Sequence, residues 1–485
     1  MSDIKKLRIA FVHPDLGIGG AERLVVDAAV GLQKLGHTVD IYTSHHDSSH
    51  CFEETRDGTL TVHAIHPPLP RAWRGKFHIF FSHARQLHLT YHLLSPSSPK
   101  YDVYFVDQLS TCVPLLRTLA KTRVVFYCHF PDKLLADGAY EEGKVRKSGS
   151  LLKRVYRWPM DKLEEITTRQ ADVILANSHF TSRIFKTHFR SINVDPEVVY
   201  PGINLSSYEP KEAETSDPDV AQVVSERPTF LSLNRFEKKK NALLAIDAFA
   251  LLREEKLSPE DAKSFRLVIA GGYDPRLEDN MMTLVGLIDR AKKHSLTFDI
   301  IQPQTSKLTI PPFNTTSDSP TILFLLNFTT AQRSALLSSP STLCLLYTPM
   351  NEHFGIGPVE AMVCGLPVVA CNSGGPKESV LNNEGDQYTG GTGWLRPPDS
   401  KQWAEALYAV TKLSEDDRKS LAAKAQSRAK ENFGMDAMAS GLERAMIKAV
   451  SMGPVDVTNQ IWGTLFMIFV ALMAIYYAWL EKSTF

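Results

Sequence analysis

Short apolar runs that alternate with amphipathic helical patterns, in two successive series, constrain this chain more than any other feature. Leu7–Val12, Thr38–Thr43, Tyr101–Val106, Arg123–Cys128 and Asp172–Ala176 read as strands of a first series. Pro228–Leu233, Arg266–Ala270, Leu343–Tyr347 and Pro367–Cys371 form a second. Most are nearly continuous in apolar residues, as strands covered on both faces must be, which predicts parallel sheets flanked by helices. Helical patterns at Ala21–Leu35 and Asn241–Leu252 fit between strands. The chain is therefore expected to be α/β, with two Rossmann-like domains, 1–208 and 209–450, facing a central cleft. An acidic, Pro-containing stretch, Glu209–Pro228, follows the boundary, and Gln304–Pro320 reads as a surface-loop insertion in the second domain. Residues 418–448 read as a helical tail closing that domain.

The 485 residues carry 54 Lys+Arg against 54 Asp+Glu. A net charge of zero argues against nucleic acid as a partner. Six scattered cysteines without a CxxC pair argue against a disulfide framework or zinc ribbon, and favour a reducing compartment. The apolar run Ile9–Val12 is too short for a signal peptide and ends at His13-Pro14-Asp15. Residues 461–480 hold no charge, and as a helix they would reach ~30 Å, a bilayer's hydrocarbon thickness. They predict a C-terminal transmembrane helix edged by Trp462, Tyr476, Tyr477 and Trp479. Residues 71–94 mix arginine, histidine and aromatics, and fit either a core-packed helix or an interfacial membrane helix. Sequons begin at Asn204, Asn314 and Asn327 and, with no signal sequence, are expected to be unmodified.

Five loops carry the chemistry. Gly17-Ile18-Gly19-Gly20-Ala21-Glu22-Arg23 follows the first strand and opens a helix, a place where backbone can approach a phosphate or a sugar. The dinucleotide fingerprint fails at Glu22, where a third glycine is required, so a nicotinamide oxidoreductase is disfavoured. Glu352 and Glu360 stand eight residues apart around His353-Phe354-Gly355-Ile356-Gly357-Pro358. Ionised carboxylates only accept, so this pair suits hydroxyl pairs on a sugar and a ribose, with the amides of Phe354, Gly355 and Ile356 as complementary donors. Pro358 places Glu360 in the first turn of a helix. Arg235 and Lys240, between a strand and a helix, suit a diphosphate clamp, whereas Lys238 and Lys239 read as solvated. His129, in Cys128-His129-Phe130-Pro131-Asp132, either contacts a transferred sugar, steers a proton or is structural. Ser373-Gly374-Gly375-Pro376 is a further glycine loop. There is no D-x-D or H-E-x-x-H motif, and no metal or other cofactor is expected.

Taken together, GIGGAER (17–23), RFEKKK (235–240) and the E-x7-E element resemble the retaining glycosyltransferases of GT-B architecture, family 4. The strings YCHFPDKLL, AGGYDPR, LYTPMNEHFGIGPVEAM and NSGGPKESV narrow the resemblance to the mannosyltransferases of the dolichol-linked oligosaccharide pathway. The resemblance implies GDP-mannose as donor, bound mainly by the second domain, and a dolichol-diphosphate-linked oligosaccharide as acceptor, entering from the first. It implies an α-1,3 and then an α-1,6 mannose, added on the cytosolic face of the endoplasmic reticulum membrane. Membrane lipid and other mannosyltransferases of the pathway are the further partners it suggests. By the same resemblance Glu360 would hold ribose, Glu352 mannose, Arg235 and Lys240 the diphosphate. His129 would lie near the mannose, and Gly19-Gly20 near the phosphates or the reacting centre. Gly357 departs from the pattern, where a bulkier residue is expected before the proline. Another acceptor or sugar nucleotide, or a silent membrane-anchored scaffold, are the rival readings; the intact acidic and basic residues argue against the scaffold.

Overall fold

The computed structural model describes residues 5–73, 77–135, 151–208, 217–308 and 319–456. The chain forms two compact units, one drawing on residues up to Ile203 and again from Met435, the other comprising Asn204–Gly434.

In the first unit seven strands form one sheet: β1 (Arg8–His13), β2 (Thr38–Thr43), β3 (Thr61–Ala64), β4 (Val103–Asp107), β5 (Arg123–Cys128), β6 (Val173–Ala176) and β7 (Glu197–Val198). Their order is β3-β2-β1-β4-β5-β6-β7, and every pairing is parallel. β1 is thus flanked by β2 on one side and by β4 on the other, which makes the β1/β4 junction the topological switch point. β4 is buried along its whole length, which is why its sequence shows no alternation. One face of the sheet packs Val25, Ala29 and Leu32 of the helix Gly20–Lys34; the other packs Leu89 and Leu93 of the helix His78–Leu93. Most of the stretch 71–94 is therefore a helix with one face in the core, although Tyr91 remains exposed.

The helix Met435–Ser451 also belongs to this unit. The sequence reading had it closing the second domain. Its stripe Met438, Leu442, Ala445, Met446 and Ala449 instead joins the first unit's core. Gly31 admits it: a Cβ there would lie 2.8 Å from the Cβ of Ala439. The presumed single tail is in fact two helices, Glu415–Phe433 and Met435–Ser451, broken at Gly434.

The second unit has seven strands: β8 (Thr229–Leu233), β9 (Arg266–Gly271), β10 (Phe298–Ile301), β11 (Ile322–Leu326), β12 (Thr342–Tyr347), β13 (Val368–Cys371) and β14 (Gly393–Arg396). The order is β10-β11-β9-β8-β12-β13-β14, again all parallel, with the switch point between β8 and β12. Phe230, Ile269, Phe324, Leu346 and Val369 pack beneath helices that contribute Phe249, Leu287 and Trp403. Both units are Rossmann-like. The expected transmembrane segment 461–480 lies outside the described residues, as does 309–318 of the expected insertion. Among the described residues no helix is long and apolar enough to cross a membrane.

Candidate functional site

Each unit gathers charge at the carboxyl ends of the strands beside its switch point. In the first unit β1 ends in His13, β4 ends in Asp107, and His129 follows β5. Parallel register brings the three together. His13 Nδ1 lies 2.5 Å from one Asp107 oxygen, and His129 Nε2 lies 2.6 Å from the other. His13 Nε2 faces Glu22 Oε1 at 3.9 Å, from the first turn of the helix Gly20–Lys34. The result is a ladder, Glu22–His13–Asp107–His129, in which His13 and Asp107 are each 1% exposed.

Burial penalises charge on His13, but the Asp107 carboxylate, with help from Glu22, outweighs it and raises the imidazole pKa to about 10. Asp107 is likewise buried, yet the two histidines hold its carboxyl down to about 2. Glu22 is lowered as well, its partial burial overcome by His13. The His129 loop is fixed from both ends. Asn177 donates to the His129 carbonyl at 2.9 Å, and the half-buried Glu164 accepts the amides of Asp132 and Lys133 at 2.7 and 3.1 Å. Burial, with Asp132 adding to it, raises the Glu164 carboxyl to about 8. Of the expected glycines, Gly19 lies under Glu22: a Cβ there would fall 2.2 Å from Glu22 Oε2. A Cβ on Gly20 would meet nothing within 4 Å. His13, Glu22 and Asp107 were not among the residues the sequence pointed to. The available signal was their place, at strand ends and at the start of a helix.

In the second unit Lys240 Nζ contacts Glu352 Oε1. The Lys240 carbonyl accepts from Thr348 Oγ1 at 2.6 Å, which ties the loop after β8 to the end of β12. Glu360 Oε1 accepts from the Tyr208 hydroxyl and from Arg333 Nη1, the latter at 3.2 Å, and the Arg333 guanidinium sits 5.0 Å from the Tyr208 ring centroid. Burial, and then the Glu360 charge, push the Tyr208 phenol far above its usual range. Tyr208 and Arg333 carry no motif and escaped the sequence reading.

The loop between the two glutamates is shaped by contact with the next one. Gly375 N donates to the Glu352 carbonyl at 2.8 Å. Gly374 has φ +66°, and a Cβ on it would lie 2.3 Å from that same oxygen. Gly357, the departure from the expected pattern, packs on the buried Tyr347 ring, with room for a Cβ only at 3.1 Å from Cε2. The helix runs Ile356–Val363 after Gly355, so Pro358 is its third residue. Glu360 therefore opens the second turn, not the first as expected. Phe354 is buried, with its ring 5.6 Å from that of Phe433, while Ile356 is exposed. Arg235 departs furthest from the expected clamp. Its side chain is 68% exposed and its ion pair is with Glu237 at 3.8 Å, whereas Lys240 is 16% exposed and on Glu352. Among the described residues no group of three or more His, Cys, Asp or Glu could hold a metal ion.

These two constellations can hold hydroxyl pairs on carboxylates, meet phosphate charge with lysine and arginine, and place an imidazole on a reacting sugar. The model of glycosyltransferase family 4 matches residues 18–207, and that of glycosyl transferases group 1 matches residues 320–432. Alpha-1,3/1,6-mannosyltransferase ALG2 of Rhizomucor pusillus is 44% identical over 452 residues, 93% of this chain and 93% of its own. ALG2 of Saccharomyces cerevisiae is 40% identical over 477 residues, 98% of this chain and 91% of its own. Among solved structures, sucrose-phosphate synthase from Thermosynechococcus elongatus superposes with a TM-score of 0.66 at 16% identity, covering 93% of this chain and all of its own. Anabaena HepE in complex with UDP and glucose gives 0.59 at 17%, covering 91% and 99%. At these identities the two structures speak for the fold.

Proposed function

The chain belongs to the α-1,3/1,6-mannosyltransferases, enzymes of lipid-linked oligosaccharide synthesis, and on that premise we propose how its two units divide the reaction. The second unit takes GDP-mannose and the first takes a dolichol-diphosphate-linked acceptor. The observation that carries this reading is the pair of carboxylates beside one switch point, each already held by a cation: Glu352 by Lys240 and Glu360 by Arg333. When donor binds, Glu360 exchanges its partners for the ribose hydroxyls and Glu352 for the mannose hydroxyls. Lys240, released, turns to the diphosphate together with Arg235. The amides of Phe354, Gly355 and Ile356 add donors at a helix start.

An α-linked donor giving an α-linked product means retention. The acceptor hydroxyl attacks from the leaving-group face. The bond from mannose C1 to the diphosphate oxygen breaks, a C1–O bond to the acceptor forms, and the acceptor proton passes to the departing diphosphate. The charge growing on GDP is met by Lys240, Arg235 and helix N-termini, so no divalent cation is required. His129, with Nε2 committed to Asp107, offers its other ring nitrogen to the mannose. Gly19 and Gly20 let the acceptor's reacting hydroxyl approach.

The site of action is the cytosolic face of the endoplasmic reticulum membrane, with segment 461–480 as anchor and other enzymes of the pathway as neighbours. Purified protein is to be incubated with GDP-mannose and the monomannosyl lipid, with excess chelator in a parallel reaction and product linkages read by linkage-specific mannosidases. An α-1,3 followed by an α-1,6 mannose, unaffected by chelator, is expected. No transfer, another linkage, or reversible loss on chelation would overturn the reading.

A further inference from the structure

We propose that the first unit carries an anion pocket, formed by Arg71, Arg85 and His78 around Asp15, that takes the diphosphate of the lipid-linked acceptor; this rests on the acceptor assignment above. The pocket is a cavity of about 160 Å³. Pro14 and Asp15 line it immediately after His13, and Ser44 lines it immediately after β2. It therefore opens at the same sheet edge as the His13–Asp107–His129 ladder.

Its charge is unbalanced. Arg71 Nη2 lies 3.5 Å and Arg85 Nη2 3.7 Å from the same Asp15 oxygen. One carboxylate shared by two guanidiniums leaves a positive charge over, and both distances exceed a charge-assisted hydrogen bond. That Asp15 oxygen accepts a hydrogen bond from neither guanidinium, so neither cation is tied to it. Arg85 is only 12% exposed, and it donates to the carbonyls of Leu69 and Ser44 at 3.1 and 3.2 Å. It is a desolvated cation held in place by neutral dipoles, and burial lowers its pKa accordingly. The sixteen-residue helix His78–Leu93 begins at the cavity, and no side chain caps it at Phe77, so its positive end adds to the field.

A phosphoryl oxygen between the two guanidiniums would complete this set. An anionic phosphoryl group has the required chemistry whether it belongs to the acceptor's diphosphate or to a phospholipid headgroup; the sheet-edge position, one residue from His13, favours the acceptor. Arg71 is the more exposed of the pair, so Arg71→Gln tests the pocket without disturbing the core, and Arg85→Gln is the stronger second variant.

Three measurements on the full-length protein decide the matter. The first compares kcat/KM for the lipid-diphosphate acceptor with that for the same oligosaccharide lacking diphosphate. Wild type should prefer the diphosphate acceptor, and Arg71→Gln should cut that preference at least fivefold through KM. The second is calorimetric titration of inorganic pyrophosphate with saturating GDP present, where Arg71→Gln should weaken binding at least fivefold. This arm needs no turnover, so it stands even if the mannosyl-transfer reading fails. The third is sedimentation with phosphatidylinositol vesicles. An unchanged acceptor preference, unchanged pyrophosphate affinity, or a loss confined to vesicle binding would each overturn the proposal.

Discussion

The two units solve one electrostatic problem in opposite ways. In the first, His13 and Asp107 are sealed off and hydrogen-bonded to each other, with Asp107 also on His129 and with Glu22 facing His13 across 3.9 Å. In the second, Glu352 and Lys240 keep 24% and 16% of their side-chain surface open. Buried ions repay their desolvation only while every partner stays in place, so the first arrangement is fixed on folding. Half-open ion pairs gain little from one another and can trade partners for a ligand. The first unit's charges are fixed among themselves; the second's are open enough for a ligand to displace.

The largest effect should follow breaking the sealed ladder. Asp107→Asn leaves His13 beside a neutral amide in a dry site. It should cost ~3–5 kcal/mol of stability by chemical denaturation and lower turnover at least a hundredfold. If Asp107→Asn is tolerated as well as Glu360→Gln, the contrast between the units is wrong.

Next in size is the pH dependence of the first unit. His13 is raised from 6.5 to about 10, so its contribution is complete below 6.5 and is lost as pH rises through about 10. Asp107 is depressed from 3.8 to about 2, so its contribution is complete above 3.8 and is lost as pH falls through about 2. Stability should therefore plateau between these ordinary values and fall away on both sides. His13→Gln should flatten the alkaline limb in a series of denaturation midpoints; an unchanged limb refutes the assignment.

In the open unit Glu352→Gln should lower turnover at least tenfold while circular dichroism and melting temperature stay near wild type. Activity at the wild-type level would remove Glu352 from the reaction. The smallest effect sharpens the exchange idea. Tyr208→Phe deletes one hydrogen bond to Glu360, worth ~1 kcal/mol, and should move KM for GDP-mannose several-fold with kcat little altered. A change in kcat alone would mean that Tyr208 acts elsewhere.

How much of this was legible follows from how local each feature is. β2 and β5 match the sequence reading residue for residue, because strands buried on both faces must be apolar runs. β3, half-buried and polar, and the two-residue β7 gave no such run, and β10, β11 and β14 also went unread, although β11 is a fully buried apolar run. Lys240 and Glu352 lie 112 residues apart, yet both sit in glycine- or charge-marked loops at strand ends, so each was visible alone. His13 and Asp107, 94 residues apart, look like ordinary strand termini until parallel pairing puts them in contact. Gly357 looked like an anomaly because its reason, the ring of Tyr347, belongs to another element.

The sequence by itself determined the strand and helix alternation, the strand-end loops and the inventory of acids and bases, because burial and turn geometry act over a few residues. Tertiary structure alone decided that Met435–Ser451 joins the first core, that Asp107 bridges two histidines, and that Arg333 and Tyr208 share Glu360. Those depend on strand order and helix packing, which bring together side chains whose mutual charge and desolvation no local pattern records.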